Sequence, residues 1–171
     1  MPEASAAYLA APAPPRALDL LTRGLLGIST GLMLLIIALI VAQVAARNIW
    51  NIGLPRAEEI SRFSGVLAVY FTAPLLALRG QHVAVDVFTS ALPRLPKLVC
   101  FILAELSILA FSALTLWGGW LYLKRAWKFK TPALGIQNIW LFGPVMLCFL
   151  LLIVIALWRI SAVLRAERAM K

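Results

Sequence analysis

Four long apolar runs constrain the fold of this chain more than any other feature. Three of them carry at most one charged residue over 20 or more positions, and about 20 apolar residues span a bilayer as a helix. The remaining run, residues 63–78, is shorter, but it reaches that length if its helix begins at Pro55. Proline suits the first turn of a helix because its missing N–H would have no hydrogen-bond partner there. The chain is therefore predicted to be an all-α membrane protein with four transmembrane helices. Their predicted positions are about residues 24–46, 55–78, 97–123 and 139–158.

The overall composition supports a membrane protein and argues against a nucleic-acid partner. Of the 171 residues 63% are hydrophobic, and the mean hydropathy is +0.93. A soluble domain of this length cannot bury so much apolar surface. The net charge of +9 comes from Lys and Arg residues that flank the apolar runs, where such side chains contact lipid headgroups. Membrane lipids are therefore predicted partners.

The two ends of the chain differ from the apolar centre. Residues 1–17, "MPEASAAYLAAPAPPRA", are rich in Ala and Pro without periodicity and predict a disordered tail, which leaves residues 18–171 as a single membrane domain. The first apolar run exceeds the 7–15 residues of a signal-peptide core, which favours a retained helix. Four spans place both termini on one side. That side holds nine Lys and Arg residues against seven opposite, which favours cytoplasmic termini without alone excluding dual topology.

The segment "LRGQHVAVDVFTSALPRLP" between the second and third apolar runs has a pattern of its own. Its polar and apolar residues recur at helical spacing and predict a short interfacial amphipathic helix over residues 82–92, although alternating valines leave an extended start as an alternative. His82 and Asp86 lie one turn apart and can pair. No nucleophile motif accompanies them, and a single histidine cannot supply two axial haem ligands. The sequence therefore predicts no catalytic site, metal or cofactor.

A group of charged residues opens the second helix. Glu58 and Glu59 stand near its N-terminus, where the helix dipole favours negative charge. Glu58 also precedes Arg62 by four residues, the spacing of an ion pair on one helix face. These residues either anchor the helix or contact a basic residue of a partner subunit.

Glu105 is the only charged residue within the third apolar run. An ionisable group inside a membrane segment is costly and is a functional candidate. Arg159 ends the fourth helix on the membrane side where the third helix begins, so it is a candidate ion-pair partner of Glu105. The alternatives are a contact with a partner subunit and a pathway for a proton or ion.

The third link, "KRAWKFKTPALGIQNIW", combines four cations with aromatic residues and contains no acid. Such a segment either anchors a membrane interface or forms a docking surface for an acidic soluble partner. The cations are Lys124, Arg125, Lys128 and Lys130.

The order and spacing of these motifs resemble one family. An arginine after the first helix (Arg47) is followed by "AEEISR", then "ALRGQHVAVD" and "LP", with weaker similarity in "TPALGIQNIW" and "GP". This arrangement resembles the small membrane subunit, or Q subunit, of tripartite ATP-independent periplasmic (TRAP) transporters. Two positions depart from the family pattern. Arg56 stands where a tryptophan is frequent and Gln137 where a proline is frequent, which leaves partner specificity open there.

The resemblance implies a non-enzymatic scaffold in the bacterial inner membrane, with both termini in the cytoplasm. A large multi-spanning subunit would carry substrate and sodium, and a periplasmic binding protein would deliver the substrate, commonly a small organic acid. On this basis the docking surface for the binding protein would comprise the four cations of the third link. The expected structural contacts with the large subunit are Arg47, Glu58, Glu59, Arg62, Arg79, His82, Asp86 and Glu105.

Two other functions are compatible with four membrane helices. A self-sufficient exporter of the four-helix multidrug type is favoured by the even charge balance and a membrane glutamate. Its acidic residue, however, would lie in the third helix instead of the first. A haem or quinone anchor of an oxidoreductase is disfavoured by the single histidine.

Overall fold

The computed structural model describes residues 14–79 and 93–169. Within them the chain forms four α-helices that are each long and apolar enough to cross a membrane, which confirms the predicted fold class. The predicted interfacial helix, residues 82–92, lies outside the described residues, as do residues 1–13 of the predicted tail. The helices are α1 (Arg16–Trp50), α2 (Pro55–Leu78), α3 (Arg94–Ala126) and α4 (Ile139–Ala169).

The link between α1 and α2 reverses the chain within residues 51–54. Asn51 ends α1 in the left-handed conformation, with φ of 53°, which asparagine tolerates better than most residues. The Ile52 N–H then donates to the Ala46 carbonyl at 3.2 Å, which satisfies one of the last carbonyls of α1. Pro55 begins α2 in its first turn, as the sequence predicts. The result is an antiparallel helix pair.

The helices pack in an order that differs from their order in the chain. The main packing contacts join α1 to α2, α2 to α4, and α4 to α3. In the most apolar window of each helix, α2 and α4 each bury 28% of the residues, against 6% for α1 and 11% for α3. The helices α1 and α3 are therefore the outer members of the assembly. Most of their apolar surface is left to lipid or to a partner.

Small and polar residues create the close contacts between helices. The Ser29 hydroxyl of α1 donates to the Ala68 carbonyl of α2 at 2.9 Å, and the Thr72 hydroxyl donates to the same carbonyl at 2.8 Å. Between α3 and α4, a Cβ added at Gly119 would lie 2.6 Å from the Met146 Cε atom. The end of the Met146 side chain therefore occupies the space that a side chain at Gly119 would fill.

We name the two ends of the four-helix assembly by the chain segments that they contain. We call the end with the start of α1, the end of α2 and the start of α3 the tail side. The opposite end, which holds residues 51–54 and 127–138, is the loop side. A small core of Ala77, Leu78 and Ile155 joins α2 to α4 near the tail side, and Leu18 of α1 packs against it.

Candidate functional site

A buried ion pair joins three helices near the tail side. Arg159 of α4 lies 2.6 Å from the Glu105 carboxylate of α3, and only 6% and 2% of the two side chains are exposed. The same guanidinium nitrogen donates to the Ala77 carbonyl of α2 at 2.9 Å. The guanidinium carbon also lies 5.1 Å from the centre of the Phe101 ring. Arg159 therefore connects α4 to both of its neighbours.

The ion pair explains how α3 tolerates the charge of Glu105 within a membrane-spanning helix. Two charges in a low-dielectric interior are tolerated when they pair closely and their hydrogen-bonding groups are satisfied. The sequence named Arg159 as a candidate partner because both residues lie on one side of the membrane. The contact with the Ala77 carbonyl was not anticipated, since nothing in the sequence shows that α2 packs against α4.

Glu59 forms a second buried polar contact, on the loop side. It lies in α2, is 7% exposed, and one carboxylate oxygen accepts the N–H groups of Ala133 and Leu134, each at 2.8 Å. These residues belong to the link between α3 and α4, more than 70 positions away in the chain. The other carboxylate oxygen is buried and accepts no hydrogen bond within the described residues. Glu59 thus fixes a loop, a role that its helix-end position did not indicate.

The loop that Glu59 holds, residues 127–138, is compact. Thr131 is buried, and its N–H donates to the Ile136 carbonyl at 2.9 Å, while its hydroxyl accepts the Ile136 N–H at 3.1 Å. Gly135 has a φ of 69°, in the left-handed region that favours glycine. Lys130 and Gln137 face each other in an isolated antiparallel bridge. Gln137, where the family pattern often has proline, is therefore part of a folded turn.

The four predicted docking cations lie together at the loop side. Lys124 and Arg125 belong to the last turn of α3, and Lys128 and Lys130 follow in the loop. All four are exposed, and the Lys124 ammonium lies 5.5 Å from the centre of the Trp120 ring. The exposed Trp117, Trp120, Trp127 and Phe129 lie close to them in the chain. This surface combines aromatic groups suited to a membrane interface with positive charge open to solvent.

The other predicted contact residues are exposed or lie outside the described residues. Glu58 and Arg62 form the predicted pair at 3.0 Å, with side chains 65% and 71% exposed, so the pair leaves both groups accessible to a partner. Arg47, in the last turn of α1, and Arg79, just after α2, are both exposed. His82 and Asp86 lie outside the described residues.

Sequence reasoning missed the polar contact between α1 and α2. Ser29 is 4% exposed, and its oxygen lies 3.1 Å from the Thr72 hydroxyl. Further along the pair, the Gln43 amide donates to the Ser61 hydroxyl at 3.3 Å. A signal was present, because Thr22, Ser29 and Gln43 recur at multiples of seven residues in an otherwise apolar helix. Such spacing places them on one helix face.

These features define a polytopic membrane protein whose buried polar side chains connect its helices. Within residues 14–79 and 93–169, no group of three or more His, Cys, Asp and Glu side chains could hold a metal ion.

Comparison with known proteins identifies the family. Residues 36–166 match the family model described as tripartite ATP-independent periplasmic transporters, DctQ component. A TRAP transporter small permease protein of Haemophilus influenzae is 25% identical over 110 residues, which cover 64% of this chain and 67% of that protein. The chain belongs to the DctQ family, and it is a TRAP small subunit, not an enzyme. The resemblance drawn from the sequence motifs is confirmed.

Proposed function

We propose that this chain is the static membrane subunit of a sodium-coupled TRAP transporter. It holds a large multi-spanning subunit in place while that subunit moves a small organic acid, which a periplasmic binding protein delivers. The transporter lies in the bacterial inner membrane, with the tail side in the cytoplasm and the loop side in the periplasm. Membership of the family supports association with other TRAP components.

The observation that carries this proposal is that Glu105 is held in a buried ion pair with Arg159. A carrier carboxylate must bind and release an ion during each cycle, whereas Glu105 is held at 2.6 Å by a buried arginine that also contacts α2. Releasing Glu105 would break a buried ion pair, and breaking such a pair costs several kcal/mol, about 3–5. This favours a scaffold over a self-sufficient exporter that uses Glu105 for coupling.

The contacts with the large subunit follow from exposure. Glu59 and Glu105 have partners within the chain, so neither would form the interface directly: Glu105 fixes helices, and Glu59 holds the loop of residues 127–138. Membrane-level charges that remain accessible, such as the Glu58–Arg62 pair, are better suited to a direct contact. The exposed residues proposed as direct contacts are Arg47, Glu58, Arg62 and Arg79. His82 and Asp86, which lie outside the described residues, are proposed as contacts from the family resemblance alone.

The cations at the loop side form the proposed docking surface: Lys124, Arg125, Lys128 and Lys130. Positive charge exposed on this side would steer an acidic face of the binding protein toward the membrane complex. Their aromatic neighbours would hold this end of the helices at the membrane interface.

Gentle purification from the native membrane tests the scaffold role. We expect a large polytopic protein to co-purify with this chain, and we expect the chain alone to show no transport in liposomes. Transport by the purified chain alone, or recovery of only a homodimer, would contradict the proposal.

Charge reversal tests the docking surface. Replacing its four cations with glutamate should reduce uptake at limiting binding protein while the membrane complex remains intact. A control variant reverses Arg16 and Arg165, which are exposed at the tail side. It should leave uptake unchanged. Equal uptake by the docking-surface variant and the native complex would remove the docking role.

A further inference from the structure

We propose that Glu59 is the positioning residue of the docking surface. From α2 it holds the loop of residues 127–138 in the conformation that presents Lys128 and Lys130 to the binding protein. This inference rests on the proposed docking role and adds to it, because Glu59 itself is buried and does not touch the soluble partner.

The hydrogen bonds of the loop divide into two kinds. Bonds within the loop, such as that from the Gly135 N–H to the Thr131 carbonyl at 3.0 Å, fix its internal shape. They do not fix its orientation relative to α2. Among the described residues, the hydrogen bonds that connect the loop to α2 are the two that Glu59 accepts from Ala133 and Leu134.

A carboxylate is well suited to this task. Hydrogen bonds to a charged acceptor are about twice as strong as neutral ones. Two adjacent N–H groups that converge on one oxygen, both at 2.8 Å, also restrict the rotation of the loop. The position of Glu59 near the N-terminus of α2 compensates part of its charge, because the helix dipole is positive there. Ala133 and Leu134 lie within a few residues of Lys128 and Lys130, so the orientation of the cations depends on this contact.

The loss of this contact should weaken docking without slowing transport itself. The binding protein recognises one loop conformation, and its apparent affinity falls with the population of that conformation. Glu59 contacts the loop, whereas the neighbouring Glu58 and Arg62, which are proposed to contact the large subunit, pair with each other on the exposed face of α2. The maximal rate of the large subunit should therefore be preserved.

The test measures uptake by the complete complex in proteoliposomes at increasing concentrations of binding protein. Glu59→Ala should raise the half-saturating concentration about tenfold, which corresponds to about 1.4 kcal/mol, at an unchanged maximal rate. Glu59→Gln keeps an oxygen acceptor without the charge and should stay within about threefold of the native value, since a neutral bond retains about half the strength. Asp19→Ala, which removes a partly exposed carboxylate at the tail side, is the matched control and should change neither value.

A second variant perturbs the same loop without touching α2. Gly135→Val introduces a side chain into open space, but it strains the backbone because φ is positive there. It should also raise the half-saturating concentration at an unchanged maximal rate. If the complex that contains Glu59→Ala fails to assemble, the test uses Gly135→Val together with Glu59→Gln.

Two results would overturn the inference. One is an unchanged half-saturating concentration in Glu59→Ala or, if that variant does not assemble, in Gly135→Val. The other is a lower maximal rate with unchanged half-saturation. If charge reversal of the four cations impairs uptake but these variants do not, the positioning role fails and the docking role stands. If charge reversal has no effect, both fail.

Discussion

The buried Glu105–Arg159 pair offers the sharpest test of how this chain holds its helices together. Glu105→Ala removes the carboxylate that lies 2.6 Å from Arg159, in a pair whose side chains are 2% and 6% exposed. Breaking a buried pair by removing one member costs about 3–5 kcal/mol, whereas an exposed pair is worth about 0.2–1 kcal/mol. We therefore expect Glu105→Ala to destabilise the chain several times more than Asp19→Ala, which removes an i,i+4 pair with Arg23 whose side chains are 32% and 65% exposed.

The assay is reversible unfolding in mixed detergent micelles, followed by tryptophan fluorescence. With the single variant Arg159→Met, the double variant Glu105→Ala, Arg159→Met completes a double-mutant cycle. Because the two side chains contact each other, the losses of the two single variants should add up to more than the loss of the double variant. The reasoning would be refuted if Glu105→Ala lost no more stability than Asp19→Ala, or if the losses of the two single variants simply added up to the loss of the double variant.

The same pair separates a structural role from ion coupling. Glu105→Gln keeps the shape of the side chain and loses its charge. We expect the assembled complex that carries it to transport at a near-normal maximal rate once folded, because Glu105 holds helices and does not carry the coupling ion. Loss of transport in a complex of native stability would restore the ion-pathway interpretation.

Two further predictions concern the contacts between helices. Ser29→Ala should destabilise the chain by about 0.6 kcal/mol, the average for an interhelical hydrogen bond in a membrane, whereas Thr30→Ala should not, because the exposed Thr30 hydroxyl bonds within its own helix. Unfolding in mixed micelles checks both variants, and equal stability would contradict the role of Ser29. Gly119→Leu should cost about 1–3 kcal/mol by displacing Met146, while Gly118→Leu, with no heavy atom within 4 Å of its added Cβ, should be tolerated. Both variants are compared by the helix content that they retain on heating. Equal losses of stability in Gly119→Leu and Gly118→Leu would show that α3 and α4 do not pack tightly around Gly119.

Much of the protein could be predicted from the sequence because its determinants are local. A membrane helix needs only a run of apolar residues of bilayer length, and the start of α2 needs only Pro55 at the right position. The Glu58–Arg62 pair is likewise a matter of spacing on a single helix. Family membership also follows from the order of short motifs, since "AEEISR" and "ALRGQHVAVD" need no tertiary structure to be recognised.

The tertiary structure decided which helices are neighbours and which polar groups meet. In a soluble protein an apolar stripe shows which face of a helix is buried, but lipid is as apolar as leucine, so hydropathy does not distinguish a packed face from a lipid-facing one. The packing of α2 between α1 and α4 could not be read from the chain, and neither could the partners that depend on it. Arg159 reaches the Ala77 carbonyl, and Glu59 reaches the backbone of a loop more than 70 residues away, only because that order brings them together.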